Sequence, residues 1–246
     1  MIFVRPLAGL CNRLRVINSA VKLSQDLNTR LVVFWQTDPE MNCSYRSLFQ
    51  VPEQFKVVDC HFKDVSQRAL FHRHNFFVSH EYHADSIRPF AISTCSEFYG
   101  KENVGGYEDW FAPQSNIIKA VDDIISSHSS QLIGLHVRRT DNKISIEKSP
   151  LFLFEQKIDF ELKHNPNAVF FLASDDESVK RRLVGLYGSA VFTRNVASRN
   201  DKNGVSDALI DLVLLSKCKK IYGSYFSSFS EEAAKIGNVD FESLHM

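Results

Sequence analysis

Hydrophobic positions along this chain alternate between two rhythms. Short unbroken apolar runs read as strands, and longer stretches with apolar residues every three or four positions read as helices. Ile2 to Arg5 is a run of the first kind; Leu10, Leu14, Ile17 and Val21 then fall on one helical face, and Thr29 to Trp35 forms the next run. That second run is β-branched and continuous, as expected of a strand covered on both faces. The three segments make a βαβ unit. From Gln36 to Gly106 the rhythm weakens: Ser44 to Phe49 suits a helical turn and Phe55 to Cys60 a strand, and the rest is rich in His, Phe and Arg.

Regularity returns at Asn116 to Ser127, a helix with Asn116 as its cap and Ile117, Ala120, Val121 and Ile124 on one face. Strands are then expected at Gln131–Arg138, Ala168–Ser174, Ser189–Thr193 and Lys219–Ser224. Between and after them come helices at Ser149–His164, at Asp175 onward to a stop at Gly188, at Val205–Cys218, and at Ser227 onward to a stop at Gly237. The alternation predicts an α/β protein of two lobes, residues 1–115 and 116–246, with the boundary in the stretch 110–130.

Composition narrows the partners. Acidic and basic side chains balance at 29 each over 246 residues, so no global field favours nucleic acid or an anionic membrane, and anion recognition has to be local. The five cysteines, Cys11, Cys43, Cys60, Cys95 and Cys218, are scattered and odd in number, which reads as reduced thiols in a cytoplasmic chain. No stretch is apolar for long enough to span a bilayer, and Met1 leads directly into a strand without a signal-peptide core. The expected location is the cytoplasm, with any membrane attachment peripheral and made through an acceptor.

Open α/β sheets bind ligands beyond the carboxyl ends of their strands. Four such places carry chemistry. Leu7 to Asn12 joins the first strand to a helix through a small-residue turn, which either cradles phosphate on the free amides of the helix start or is a plain turn. His136, Arg138, Arg139 and Asp141 crowd the end of an apolar strand; the arginine pair can grip a diphosphate, or form a surface salt bridge with Asp141, and His136 can equally be a core histidine. Asp175 and Asp176 read as a cap and first-turn acid of the next helix. Ser224, Ser227, Ser228 and Ser230 lead into the last helix and offer hydroxyl and amide donors.

With these residues in view, "GLHVRRTDN" resembles the H-x-R-R-x-D signature of the GDP-fucose-dependent fucosyltransferase superfamily, which joins the α1,2-, α1,6- and protein O-fucosyltransferases. "AGLCNRLRVINSA", "FFLASDDESVK" and "DALIDLVLLSKCKKIYGSYFSSFSEEAA" resemble its other segments and follow in its order. The resemblance implies a GT-B-like fold, two Rossmann-like lobes with a donor-binding cleft between them. It implies an inverting glycosyltransferase that moves fucose from GDP-fucose to a glycan hydroxyl, as in polysaccharide biosynthesis, with no cofactor and no metal. The same lobes could serve another nucleotide sugar, or a nucleotide-binding module without catalysis.

Residue by residue, the resemblance gives Arg139 the β-phosphate and the departing GDP, with Arg138 supporting it. His136 and Asp211 would take the guanine and ribose end, Ser227, Ser228 and Phe229 phosphate and base, and Gly9, Leu10, Asn12 and Arg13 the pyrophosphate from the amino lobe. Ala8 and Cys11 stand where many members have glycine, and neither takes positive φ as cheaply. Asp38, Glu40, Glu81 and Asp85 follow or flank predicted strands as solvated acids, and none is assigned as base. His72, His74, His80 and His83 lack metal-site spacing and suit an interdomain or acceptor-side loop. Cys11, at a helix start, is either a reactive thiol or a buried small residue.

Overall fold

The computed structural model describes residues 1–61, 91–100, 105–128, 131–194 and 202–246. Within them the chain forms two compact units. The first holds Met1–Ile117; the division falls again inside a later helix, whose residues up to Leu209 join the first unit and whose remainder from Ile210 joins the second.

In the first unit, β1 (Ile2–Pro6), α1 (Leu10–Asp26), β2 (Leu31–Thr37), α2 (Tyr45–Leu48), β3 (Phe55–His61) and β4 (Ala91–Thr94) build a sheet of order β3-β2-β1-β4. All its pairings are parallel, with Ile2 opposite Leu31, Leu31 opposite Phe55 and Phe3 opposite Ala91. Leu10, Leu14, Ile17 and Val21 of α1 are all buried, as their spacing requires. Burial along β2 alternates instead of covering both faces equally: Leu31, Val33 and Trp35 are enclosed, Val32 and Phe34 only partly. The core on that side is aromatic. Trp35 meets Tyr45 edge-on at 5.4 Å, Tyr45 lies 5.1 Å from Phe49, and Phe55 lies 5.9 Å from Trp110. Both buried indoles find acceptors, Trp35 on the Cys43 carbonyl at 2.9 Å and Trp110 on Asn18 at 3.1 Å.

The helix expected from Asn116 begins one residue earlier, as α3 (Ser115–Ser126), so Asn116 lies inside it. The chain then runs β5 (Leu132–Val137), α4 (Lys143–Lys148), α5 (Leu151–His164), β6 (Val169–Ser174), α6 (Glu177–Tyr187), β7 (Val191–Thr193), α7 (Lys202–Ser216, the helix divided between the units), β8 (Lys220–Ser224), α8 (Ser228–Gly237) and β9 (Asp240–Leu244), which with that exception belong to the second unit. Its parallel sheet has the order β7-β6-β5-β8-β9. Leu135, Val137, Phe154, Ile158, Phe170, Leu172, Leu183 and Tyr222 form its core. Each such side chain contributes roughly 1.5–3 kcal/mol by burial. In both sheets the order reverses at the first strand, which has the second strand on one side and the fourth on the other. Each sheet therefore opens a crevice where the chain leaves that strand.

Candidate functional site

The crevice of the second unit lies where β5 and β8 end side by side, with His136 opposite Gly223. Two loops leave there and are sewn together by side chains. The Arg138 amide donates to Ser224 Oγ at 3.0 Å, Asn142 Nδ2 to the Phe226 carbonyl at 2.8 Å, and Ser145 Oγ to the Tyr225 carbonyl at 2.6 Å. Ser149 Oγ accepts the Tyr225 amide at 2.8 Å and donates to the Leu244 carbonyl at 2.6 Å.

The two arginines of this loop have different surroundings. Arg138 is neutralised by carboxylates, Asp141 at 2.6 Å and Asp175 at 3.2 Å. Arg139 donates from its guanidinium to two backbone carbonyls, Arg138 at 2.9 Å and Ser149 at 2.6 Å. Among the described residues no carboxylate lies within ion-pair distance of it. Burial lowers its pKa from the usual arginine value, against the raising effect of Asp175 and Asp176, yet an arginine stays charged at every working pH. Arg139 is thus a half-buried cation, fixed in direction and not neutralised.

Asp175 departs from its expected role. Asp176 alone caps α6, accepting from the Ser178 amide at 2.7 Å and the Val179 amide at 3.4 Å. Asp175 turns to the arginine loop, where it accepts the Arg139 amide at 2.8 Å and the Thr140 hydroxyl at 2.7 Å in addition to Arg138. Adjacent identical residues diverge because only the second has the geometry of an N-cap; the pair DD carries no local signal of that difference.

Opposite this loop, α8 starts at Ser228 with Ser227 as a cap residue whose side chain makes no capping bond. Its first amides are therefore available to an anion, at the positive end of the helix. Phe229 stacks on the His136 ring, with centroids 4.9 Å apart, and His136 Nδ1 pairs with Ser230 Oγ at 3.2 Å. Burial, reinforced by the Arg138 charge, pushes the His136 pKa down to about 3, so the ring is neutral near pH 7. Gly223 makes this approach possible: a Cβ there would sit 2.3 Å from Ser230 Oγ and 2.7 Å from the Phe241 ring. Asp211, buried on α7, is ion-paired to Arg194 at 2.6 Å, a partner the sequence pattern did not reveal.

In the first unit the turn after β1 is built differently. Ala8 adopts φ 64 and Gly9 an extended conformation with φ −71, so the left-handed position falls on the alanine. Cys11 lies within α1, is buried and needs no positive φ. Arg13 is fully enclosed. It donates to the Ala8 carbonyl at 2.7 Å, the Gln36 carbonyl at 2.5 Å and Asp38 at 2.7 Å, and lies 5.1 Å from the centre of the Trp35 ring. The guanidinium expected at the pyrophosphate is enclosed here and holds the turn. Asp38, paired to Arg13 and accepting the Glu40 and Met41 amides at 3.0 and 2.9 Å, is bonded into the same turn. Leu10 is buried, an added Cβ at Gly9 would meet nothing within 4 Å, and the Asn12 amide has no side-chain partner among the described residues. Glu81, Asp85, His72, His74, His80 and His83 lie outside the described residues.

No family model matches this chain, and no curated protein matches it. Two parallel-sheet units with this strand order define a GT-B-like α/β fold, and solved structures share it. NodZ α-1,6-fucosyltransferase, soaked with GDP-fucose, is 19% identical with TM-score 0.66, over 96% of this chain and 92% of that one. Fucosyltransferase NodZ from Bradyrhizobium is 20% identical with TM-score 0.63, over 94% and 92%. POFUT1 in complex with GDP is 12% identical with TM-score 0.64, over 99% and 96%.

Proposed function

We propose that this protein is an inverting glycosyltransferase that moves fucose from GDP-fucose to a glycan hydroxyl without a metal ion. The observation that carries the reading is Arg139, a directed cation without a carboxylate partner, set at the reversal point of a parallel sheet. In the transfer, the bond from the sugar C1 to the β-phosphate oxygen breaks while the acceptor oxygen bonds C1 from the opposite face and gives up its proton to water. Negative charge grows on the leaving GDP. Arg139 and the uncapped start of α8 are fixed donors for that charge, and preorganised donors of this kind lower such a barrier by roughly 3–4 kcal/mol each.

The remaining assignments follow the same logic. Ser227 and Ser228 offer amides and hydroxyls to phosphate, and Phe229, backed by the neutral His136, offers a ring face to the base. Asp211 takes the polar edge of the nucleoside, with Arg194 fixing its direction. In the first unit Arg13 becomes a supporting residue of the turn that carries Gly9, Leu10 and Asn12. The fucosyltransferase structures that share the fold, one soaked with GDP-fucose and one in complex with GDP, support the choice of donor. Incubation of the protein with GDP-fucose and a panel of glycans tests it. Wild type releases GDP and fucosylates an acceptor, and Arg139→Ala keeps the fold and loses both. Nucleotide affinity with neither transfer nor donor hydrolysis would make the protein a binding module instead.

A further inference from the structure

A pocket of about 320 Å³ opens on the second unit between α5 and β9, the edge strand of its sheet. Gln156, Lys157 and Phe160 line it from the helix, and Glu242 and His245 from the strand and its end. Phe160 is 54% exposed although Phe154 and Ile158, on the opposite side of the same helix, are fully buried. Glu242 is fixed by two lysines, Lys157 at 2.5 Å and Lys220 at 3.5 Å. Of the residues that line the pocket, Lys157 and Glu242 are paired with one another and so balance in charge.

We propose that this pocket is a carbohydrate subsite that holds a neutral acceptor glycan beside the donor loop. Sugars present an apolar C–H face and a rim of hydroxyls that both donate and accept. An exposed aromatic ring flanked by an amide, an oriented carboxylate and an ammonium matches that surface, and the volume lies at the small end of ligand pockets, about 300–1,000 Å³. The wall of the pocket is also tied to the proposed site by a chain of contacts. His245 lies 4.8 Å from the Tyr225 ring, and the Leu244 carbonyl accepts from Ser149, whose own carbonyl holds Arg139. Tyr225 and Phe226, 37% and 64% exposed, extend the aromatic strip along the same loop. Balanced charge selects a neutral chain over an anionic one.

The inference rests on the glycosyltransferase reading, and the test separates the two. Binding is measured on an array of neutral tetrasaccharides built on glucose, galactose, mannose and N-acetylhexosamine, beside calorimetric titration with GDP. At least one tetrasaccharide binds wild type, Phe160→Ala and His245→Ala each weaken it by about tenfold, and Phe160→Trp restores it. GDP affinity is unchanged in all three variants, whereas Arg139→Ala loses GDP and keeps the glycan. Glycan binding indifferent to Phe160, or none by protein that binds GDP, overturns the subsite. So does a dimer or a peptide complex on this face that Phe160→Ala disrupts.

Discussion

Each unit carries an arginine associated with the exit of its first strand, and the two are placed in opposite ways. Arg13 is wholly enclosed and bonded to two carbonyls and a carboxylate, which pins a turn whose alanine sits in the left-handed region. Arg139 also bonds two carbonyls, but the neighbouring carboxylates are taken up elsewhere, Asp141 by Arg138 and Asp175 by Arg138 and the loop amides. The first arginine is enclosed and bonded to a carboxylate; the second is half-buried and bonded to carbonyls, as the proposed diphosphate role requires. The lesson is that an arginine after a strand is informative only once its counter-ions are located. In the second unit Arg138 pairs with both Asp141 and Asp175.

Substitutions sharpen the contrast in order of effect. Arg13→Ala leaves Asp38 and two carbonyls without their buried partner and is expected to cost roughly 3–5 kcal/mol in chemical denaturation. Arg139→Ala is expected to change stability by no more than about 1.5 kcal/mol and to lower turnover by roughly 10²–10³-fold, read from the same preparations. Equal stability losses at the two positions would break the comparison. Acid should find the second unit's site through His136. Its folded pKa lies below the ordinary histidine value of 6.5, near 3, so the unfolded chain binds the additional proton. Stability is complete above about pH 6.5 and falls by up to ~1.4 kcal/mol per pH unit toward pH 3, a slope that His136→Gln flattens in pH-dependent melts. The smallest effect is expected at Ala8→Gly, which relieves the left-handed alanine and gains about 0.5–1 kcal/mol after the entropic cost of glycine.

Much of the fold is legible because apolar periodicity survives wherever an element is half covered. Leu10, Leu14, Ile17 and Val21 announce α1, and Leu132 to Val137 announces β5, because burial selects those side chains directly. β9 is not legible: Asp240, Glu242 and Ser243 suit an edge strand paired on one side only, and they interrupt the apolar run that would announce it. β4 is too short, four residues, to establish a rhythm. Among the site residues, Arg138, Arg139 and the serine cluster are visible in the sequence as polar groups crowded at strand ends. Ser149 and Arg194 are not, and Asp175 is visible only as a helix-start acid, since each acts through contacts 17 to 36 positions away or through its carbonyl, and composition encodes neither. The same limit explains Arg13, whose enclosure depends on Trp35, Gln36 and Asp38 folding over it.

The central claim is that the second unit holds a guanine nucleotide through Arg139. Calorimetric titration of wild type and Arg139→Ala with GDP, UDP and ADP tests it most directly. The account predicts GDP binding that exceeds UDP and ADP binding, and its loss in the variant while the melting curve stays intact. Equal affinity for the three nucleotides, or GDP binding unaffected by Arg139→Ala, would contradict it.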